Sequence, residues 1–365
     1  MNSNELSYWV ALDLMPTMWT KRKMEIYVEC FNKGLSVVDL FENTALWPEL
    51  GLTAEEQALF SSAKSELPNH SFMVEELLSQ GYSIVPVTYA DYPATLKRNL
   101  KYNAPLVIYA KGDKRLLQQD TVAIVGSRSA NAPSLDFATR IAQKAVSKGE
   151  IVVSGFAKGV DRQALDAAVE AGGKSIIVLP QGICTFASGF RQYYKQIAQG
   201  NVVVVSTFPP KASWSVALAM ARNPIIYAMA TKIFVAQSDS SGGTWEGATN
   251  GLRKGREIYV RYPRPNEKNA NLMLIQQGAI PVDGDGKVMT LVLEDLVSEK
   301  EKTKEKITAL LKSGEHLSSK EIGSRLSLEL SDAKLKTLLR SIENVSEEKV
   351  RGKIKFFIAR ELSLF

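Results

Sequence analysis

Cysteine and histidine are nearly missing from this 365-residue chain, which has two of each. Cys30 and Cys184 lie far apart in unrelated surroundings. They form neither a disulfide framework nor a metal-ligand spacing, and read as two buried thiols of a reducing compartment. His70 and His316 fall in polar segments. A mechanism built on a histidine base or a histidine metal site is therefore not expected. No apolar run approaches the roughly 18 residues that a membrane span requires. Met1 to Pro16 has acidic residues and no basic stretch before an apolar core, so it does not read as a secretion signal. Long repeats and low-complexity tracts are also absent. What remains is an ordinary globular composition, 45% hydrophobic and 23% charged, long enough for two or three domains. The expectation is a soluble, cytoplasmic protein without membrane contact, metal or cofactor. The net charge of +6 is compatible with a nucleic-acid partner and shared by many proteins that have none.

Residues 1–65 read as a helical N-terminal domain. Leu6, Trp9, Val10, Leu12 and Leu14, then Met24, Tyr27, Val28 and Phe31, recur at helical spacing. Thr53, with Glu56 three residues on, marks a helix start. Over 66–120 the pattern changes to strand-like runs at 82–87 and 106–109, a segment leading into the next domain. Residues 121–297 alternate short apolar strands with amphipathic helices: runs at 122–125, 151–153, 175–179, 202–205, 232–236 and 257–260. That is the pattern of an α/β, doubly wound, Rossmann-like parallel sheet covered on both faces. Near 298 the composition turns abruptly to lysine and glutamate. The last unit, 298–365, reads as three helices (303–312, 318–326, 331–342) and a hairpin around Gly352, a winged helix-turn-helix. Residues 299–365 hold 15 Lys and Arg against 11 Asp and Glu, so most of the excess positive charge lies here.

In such a sheet, ligands bind beyond the carboxyl ends of the strands. Gly126-Ser127-Arg128 follows the first strand of the α/β region. Its glycine permits close approach, and its arginine offers a forked cation. The second loop, 154–161, contains Ser154, Gly155, Lys158, Gly159 and Asp161. Its glycines let several N–H groups face an anion. Asp161 is open between a helix N-cap and a functional carboxylate. Each loop alone is equally well a tight structural turn; the two in one βαβ unit favour a phosphate-binding surface. Ser240 to Ala248 is a third glycine-rich turn, in which Trp245 reads as core packing or as a base-stacking ring. Arg222 and Asn223 sit between apolar stretches, where burial is costly without a partner or a ligand. On the last helix, Lys334, Lys336 and Arg340 are either DNA-phosphate contacts or a solvated face.

At these residues the sequence resembles the DprA/Smf family of bacterial DNA-processing proteins. The resemblance runs through 122–128, 151–161, Ala171 to Leu179, Arg222-Asn223, Ser241-Gly242, Gly255-Arg256-Glu257 and Gly278-Ala279, with Tyr92-Pro93 to Lys111-Gly112-Asp113 before them. It implies a non-enzymatic protein that binds single-stranded DNA in a pocket at the strand ends. It also implies a homodimer that loads a RecA-type recombinase. By position the pocket would use Gly126, Ser127, Arg128, Ser154, Gly155, Lys158, Gly159, Arg222, Asn223, Ser241 and Gly242.

The sequence departs from the family pattern at several points. Leu165 stands where the family has histidine, Pro224 where it has arginine, Ser240 where it commonly has lysine, and Ser206-Thr207 where it has Ser-Glu. The pocket is a reduced one, and the chain reads as a diverged branch, of the kind found as the partner or antitoxin of a toxic enzyme in defence loci. A different class of function is a nucleotide sensor or nucleotide N-glycosidase, whose Gly-Gly-x-Gly-Thr-x-x-Glu loop is similar to Gly242-Gly243-Thr244-Trp245-Glu246 with the acid one residue early.

Overall fold

The computed structural model describes residues 3–265, 267–290, 299–328, 332–350 and 353–358. The chain divides into two units, Met1–Met289 and Thr290–Phe365.

The first unit is built on one nine-stranded sheet. Its strands are β1 (Tyr82–Pro86), β2 (Val107–Lys111), β3 (Thr121–Gly126), β4 (Ile151–Ser154), β5 (Ser175–Val178), β6 (Val202–Ser206), β7 (Lys232–Gln237), β8 (Ile258–Arg261) and β9 (Ile280–Val282). The spatial order is β1-β2-β6-β5-β4-β3-β7-β8-β9. From β6 through β9 every neighbouring pair is parallel. These strands read as continuous Val and Ile runs because both faces are covered. Helices Ala132–Ser147 and Val160–Glu170 pack on one face, where Phe137, Ile141 and Ala164 meet Val122, Ile124 and Val152. Helices Val216–Met229 and Gly243–Arg253 return from β6 and β7 and pack against the sheet and against each other. The strand order reverses between β3 and β7, so the switch point lies at the ends of those two strands.

Residues 66–120 do more than lead into this domain. They supply the helix Leu67–Ser79 and two strands of the sheet itself, with β2 antiparallel to both β1 and β6. The helix Leu67–Ser79 also packs on the first helix, Ser3–Leu14, so the helical layer continues past 65. β1 and β2 are joined through the helix Ala94–Leu100 yet run antiparallel, so the alternation of strand and helix does not by itself give their direction. The helical layer is tied to the sheet by polar contacts. The buried Lys23 ammonium donates to the carbonyls of Asp13 (2.6 Å) and Met15 (2.7 Å), and the Tyr109 hydroxyl of β2 donates to the Asp13 carboxylate at 3.4 Å. The capping box at Thr53 and Glu56 forms as the spacing predicts. Cys30 is buried, whereas Cys184 is only half-buried; both thiols are free.

The second unit contains helices Glu299–Leu311, Ser319–Arg325 and Asp332–Arg340 and an antiparallel pair, β10 (Val345–Val350) and β11 (Lys353–Ile358). Ile307, Leu311, Ile322, Leu335, Leu339 and Phe356 form its core. The expected hairpin turn at Gly352 and the domain boundary at 297–298 lie outside the described residues. Among the described residues, no helix is long and apolar enough to cross a membrane.

Candidate functional site

A cleft of about 370 Å³ opens at the switch point. The turn after β3 forms one wall, the turn after β7 another, and helix Val216–Met229 the third. Local sequence explains why each turn stands where it does. Gly126 lies against Val160 and the Gln237 carbonyl: a Cβ there would come within 2.5 Å of the valine side chain. The Ser127 N–H donates to the Gln237 carbonyl at 2.9 Å, joining the two strand ends. Asn131 caps the following helix by accepting from the Ser134 N–H at 2.9 Å.

Beneath this cap lies a buried network that the sequence did not reveal. Arg261 donates through Nε to the Ala236 carbonyl (3.0 Å) and through Nη2 to the Ser134 hydroxyl (2.9 Å), and pairs with the Glu267 carboxylate. The Ser134 hydroxyl and the Asn131 N–H both donate to the Gln237 side-chain oxygen. A buried arginine with its donors engaged holds β7, β8 and the first α/β helix in register.

The paired loops 126–128 and 154–161 are in direct contact. Gly159 adopts φ +78, and a Cβ on it would stand 2.4 Å from the Ser127 carbonyl oxygen and 2.8 Å from that of Arg128. Only glycine gives both the torsion and the approach. Phe156 also takes a positive φ, 59. Its ring is held edge-on by Phe186 and Tyr193 and stacked under the Arg162 guanidinium at 3.7 Å. Strain at this turn is thus offset by an aromatic cluster.

At the floor is an ion pair between residues 161 and 222. Arg222 is 3% exposed, and its Nη1 lies 3.9 Å from Asp161 Oδ2 and 3.3 Å from the Val178 carbonyl oxygen. Its Nε is buried and has no hydrogen-bond partner among the described residues. Asp161 accepts from the Gly155 N–H at 3.1 Å, and its own carbonyl accepts from the Ser154 hydroxyl at 2.8 Å. Burial pushes the Asp161 carboxyl up, opposed by Arg222, by the Gly155 and Ala157 N–H groups and by Arg128. Burial pushes Arg222 down, opposed by Asp161 and reinforced by the like charge of Arg128. Gly155 is required by closeness: a Cβ would fall 1.3 Å from Arg222 Nη1. Asp161 is not the helix N-cap, which is Gly159; it fastens its loop, faces Arg222 and forms part of the cleft lining.

Of the residues singled out from the sequence, Gly126, Ser127, Arg128, Arg222, Asn223, Ser241 and Gly242 line the cleft together. Arg128, Ser241 and Gly242 are exposed. Ser154, Gly155 and Gly159 do not line it; they form the framework behind it, with Ser154 fully buried. Lys158 is exposed on the same loop, outside the lining. Arg222 and Asn223 lie inside a continuous helix that also contains Pro224. Leu165 is core, and Ser206 is buried with its hydroxyl on the Gln181 carbonyl at 2.7 Å. Glu246 is exposed on the first turn of helix Gly243–Arg253 and is not part of the cleft lining. Trp245 is half-buried beside it and lines an adjoining groove rather than packing in the core.

The sequence reading missed Val216, Ala219, Ile226 and Tyr227, which make one cleft wall apolar, and Asp239, which accepts from the Ser127 hydroxyl at 3.2 Å. The charged lining is therefore two arginines and two aspartates, both aspartates engaged with protein donors. Among the described residues no cluster of side chains could hold a metal ion.

On the last helix, Lys336 pairs with Asp332 at 2.8 Å and Arg340 with Glu347 at 3.0 Å. Lys334 is exposed.

Residues 83–292 match the family model described as DNA recombination-mediator protein A. The chain is 28% identical over 249 residues to DNA processing protein DprA of Bacillus subtilis (strain 168), covering 64% of this chain and 80% of that protein. It is 28% identical over 159 residues to DNA processing protein DprA of Streptococcus pneumoniae, covering 44% of this chain and 56% of that protein. It is 27% identical over 206 residues to Protein Smf of Escherichia coli (strain K12), covering 55% and 54%. It thus spans just over half the length of the latter two relatives. The X-ray structure of DprA from Streptococcus pneumoniae superposes with a TM-score of 0.65 at 21% identity, covering 78% of this chain and 99% of that one. At that identity the likeness is one of fold.

Proposed function

This chain belongs to the DNA recombination-mediator protein A family, and from that premise we propose that its switch-point cleft binds single-stranded DNA as a non-catalytic step of recombination. The observation that carries the reading is Arg222. A guanidinium has five N–H donors, and here one faces a carbonyl while the paired carboxylate stands at 3.9 Å. A buried cation left so incompletely satisfied is costly unless an anion completes its shell. The exposed Arg128 at the rim supplies a second cation, and the apolar wall of Val216, Ala219 and Ile226 suits the face of a base.

In this reading Gly126, Ser127, Arg128, Arg222, Asn223, Ser241 and Gly242 contact the strand. Ser154, Gly155 and Gly159 shape the loop, and Lys158 adds charge beside it. The bound strand would pass to a RecA-type recombinase, with the protein acting as a homodimer. The second unit serves as a winged helix whose Lys334, Lys336 and Arg340 approach a duplex. Ion pairs as exposed as those of Lys336 and Arg340 are weak, so phosphates can displace them.

The test is fluorescence anisotropy with a labelled oligonucleotide, single-stranded or annealed to its complement, on a protein carrying Lys334→Glu and Arg340→Glu. The single strand is expected to bind as it does to wild type, since a cleft of this size admits unpaired nucleotides and its floor is out of reach of duplex phosphates. Loss of the cleft's single-strand binding in that variant, or equal use of the cleft by duplex, would overturn the assignment. Co-purification from native cells then decides among a recombinase, a toxic enzyme and nucleic acid as the partner.

A further inference from the structure

The cleft is bordered at Asn223, whose side chain packs against Gly243 of the facing helix. It shares Met220, Asn223 and Gly243 with a second hollow of about 320 Å³, set between helices Val216–Met229 and Gly243–Arg253. That hollow shares Pro224, Gly247 and Asn250 with a third, of about 180 Å³. The three hollows follow one another along the seam of the two helices as an interrupted trough, with the helices in contact at Asn223–Gly243 and Tyr227–Gly247. Both helices run back from the carboxyl ends of the strands toward their amino ends, so the trough crosses the face of the sheet. The longer helix has 14 residues, about 21 Å at 1.5 Å per residue.

The far end of the trough is strongly basic. Arg98, Lys101, Lys254 and Arg256 line the third hollow, and its lining holds no carboxylate. Packing accounts for Arg256, which donates to the Tyr227 carbonyl at 3.0 Å and the Ala230 carbonyl at 2.6 Å, while Asn99 donates to that of Ala228 at 2.8 Å. The end of helix Val216–Met229 is thereby capped without help from the other three cations. Arg98, Lys101 and Lys254 are exposed and, among the described residues, in no ion pair with a carboxylate. Burial and the neighbouring Arg98 push the Arg256 guanidinium below its ordinary range, so like charges crowd here without relief. Lys101 moreover holds φ 53, a torsion a lysine rarely adopts. Midway, Trp245 is half-buried in the wall of the second hollow.

We propose that this trough carries a single strand onward from the cleft, with its phosphates on Arg98, Lys101 and Lys254 and a base against Trp245. The inference rests on the reading of the cleft as a strand-binding site and extends it. It also answers the charge balance of the cleft, whose arginines and aspartates are equal in number: the net attraction for a polyanion lies at the other end of the trough.

The test measures binding of a labelled dinucleotide, confined to the cleft, and of a labelled oligonucleotide of about 15 nucleotides, long enough to reach the basic end. The proteins are wild type, Arg128→Ala, and a triple variant with Arg98→Gln, Lys101→Gln and Lys254→Gln. The triple variant is expected to bind the short strand as wild type does. Its log–log salt slope for the long strand should fall by about 2 units, because each single-strand phosphate contact contributes about 0.7. Trp245→Ala should weaken the long strand alone. An unchanged long-strand slope in the triple variant, with both strands still weakened by Arg128→Ala, would overturn the trough and leave the cleft standing. Absence of binding by wild type at either length would remove both.

Discussion

Arg222→Ala is expected to lower the stability of the α/β unit by about 3–5 kcal/mol, the usual effect of removing one member of a buried ion pair. The loss follows from what is left behind. Asp161 is 7% exposed, and without Arg222 its carboxylate keeps only backbone N–H partners and the more distant Arg128. The truncation also leaves a void between helix Val216–Met229 and the loop after β4. Urea denaturation followed by circular dichroism measures it. A companion variant separates stability from binding. Asp161→Asn with Arg222→Met removes both charges together, and the asparagine oxygen can still accept from the Gly155 N–H. That pair should recover most of the stability and none of the affinity for single-stranded DNA. Recovery of both would mean that Arg222 is only a structural fastener.

Gly159→Ala is the second large effect. The torsion alone costs about 1–3 kcal/mol for a residue with a side chain. The contact adds to it, because the atoms in the way are the backbone carbonyls of Ser127 and Arg128 rather than a side chain that can swing aside. The two loops must part, and Arg128 moves with its backbone. The expected result is a loss of single-strand affinity of about tenfold or more, comparable to that of Arg128→Ala, although every charged group remains. Gly172→Ala is the control: it shares a positive φ but has open space around its Cβ position. It should cost stability through torsion and leave binding unchanged. Similar binding losses in the two variants would show that the loop contact is irrelevant.

Much of this arrangement is legible in the sequence, for a physical reason. Parallel strands covered on both faces are short Val and Ile runs, and the glycines that end them stand out. Hence β3 to β8 and the loops at Gly126 and Gly155 could be placed from pattern alone. Arg222-Asn223 could be marked as anomalous, because a cation among apolar residues demands a partner. Its partner could not be named: Asp161 is 61 positions away, and only the topology brings them together. The same holds for the Arg261–Glu267 network with Ser134 and Gln237, whose members come from three elements. Ser154 shows the opposite error. It stands in a glycine-rich loop and looks available, yet its hydroxyl is turned inward onto Asp161. β1 and β2 were legible as strand-like runs, but not their place in the sheet, since β1 pairs with β2 and the other partner of β2, β6, lies about a hundred residues on. The basic end of the trough combines Arg98 and Lys101 with Lys254, none of which forms a motif.

The central claim is that the cleft binds the phosphates of a single strand through Arg128 and Arg222. Its most direct test is the salt dependence of binding of a short, cleft-filling single-stranded oligonucleotide by wild type and by Arg128→Ala. The account predicts that log affinity falls linearly with log salt for wild type, and that Arg128→Ala, in a protein of unchanged stability, binds more weakly with a slope shallower by about 0.7 units. Binding that is independent of salt, or a slope and affinity identical in the two proteins, would contradict it.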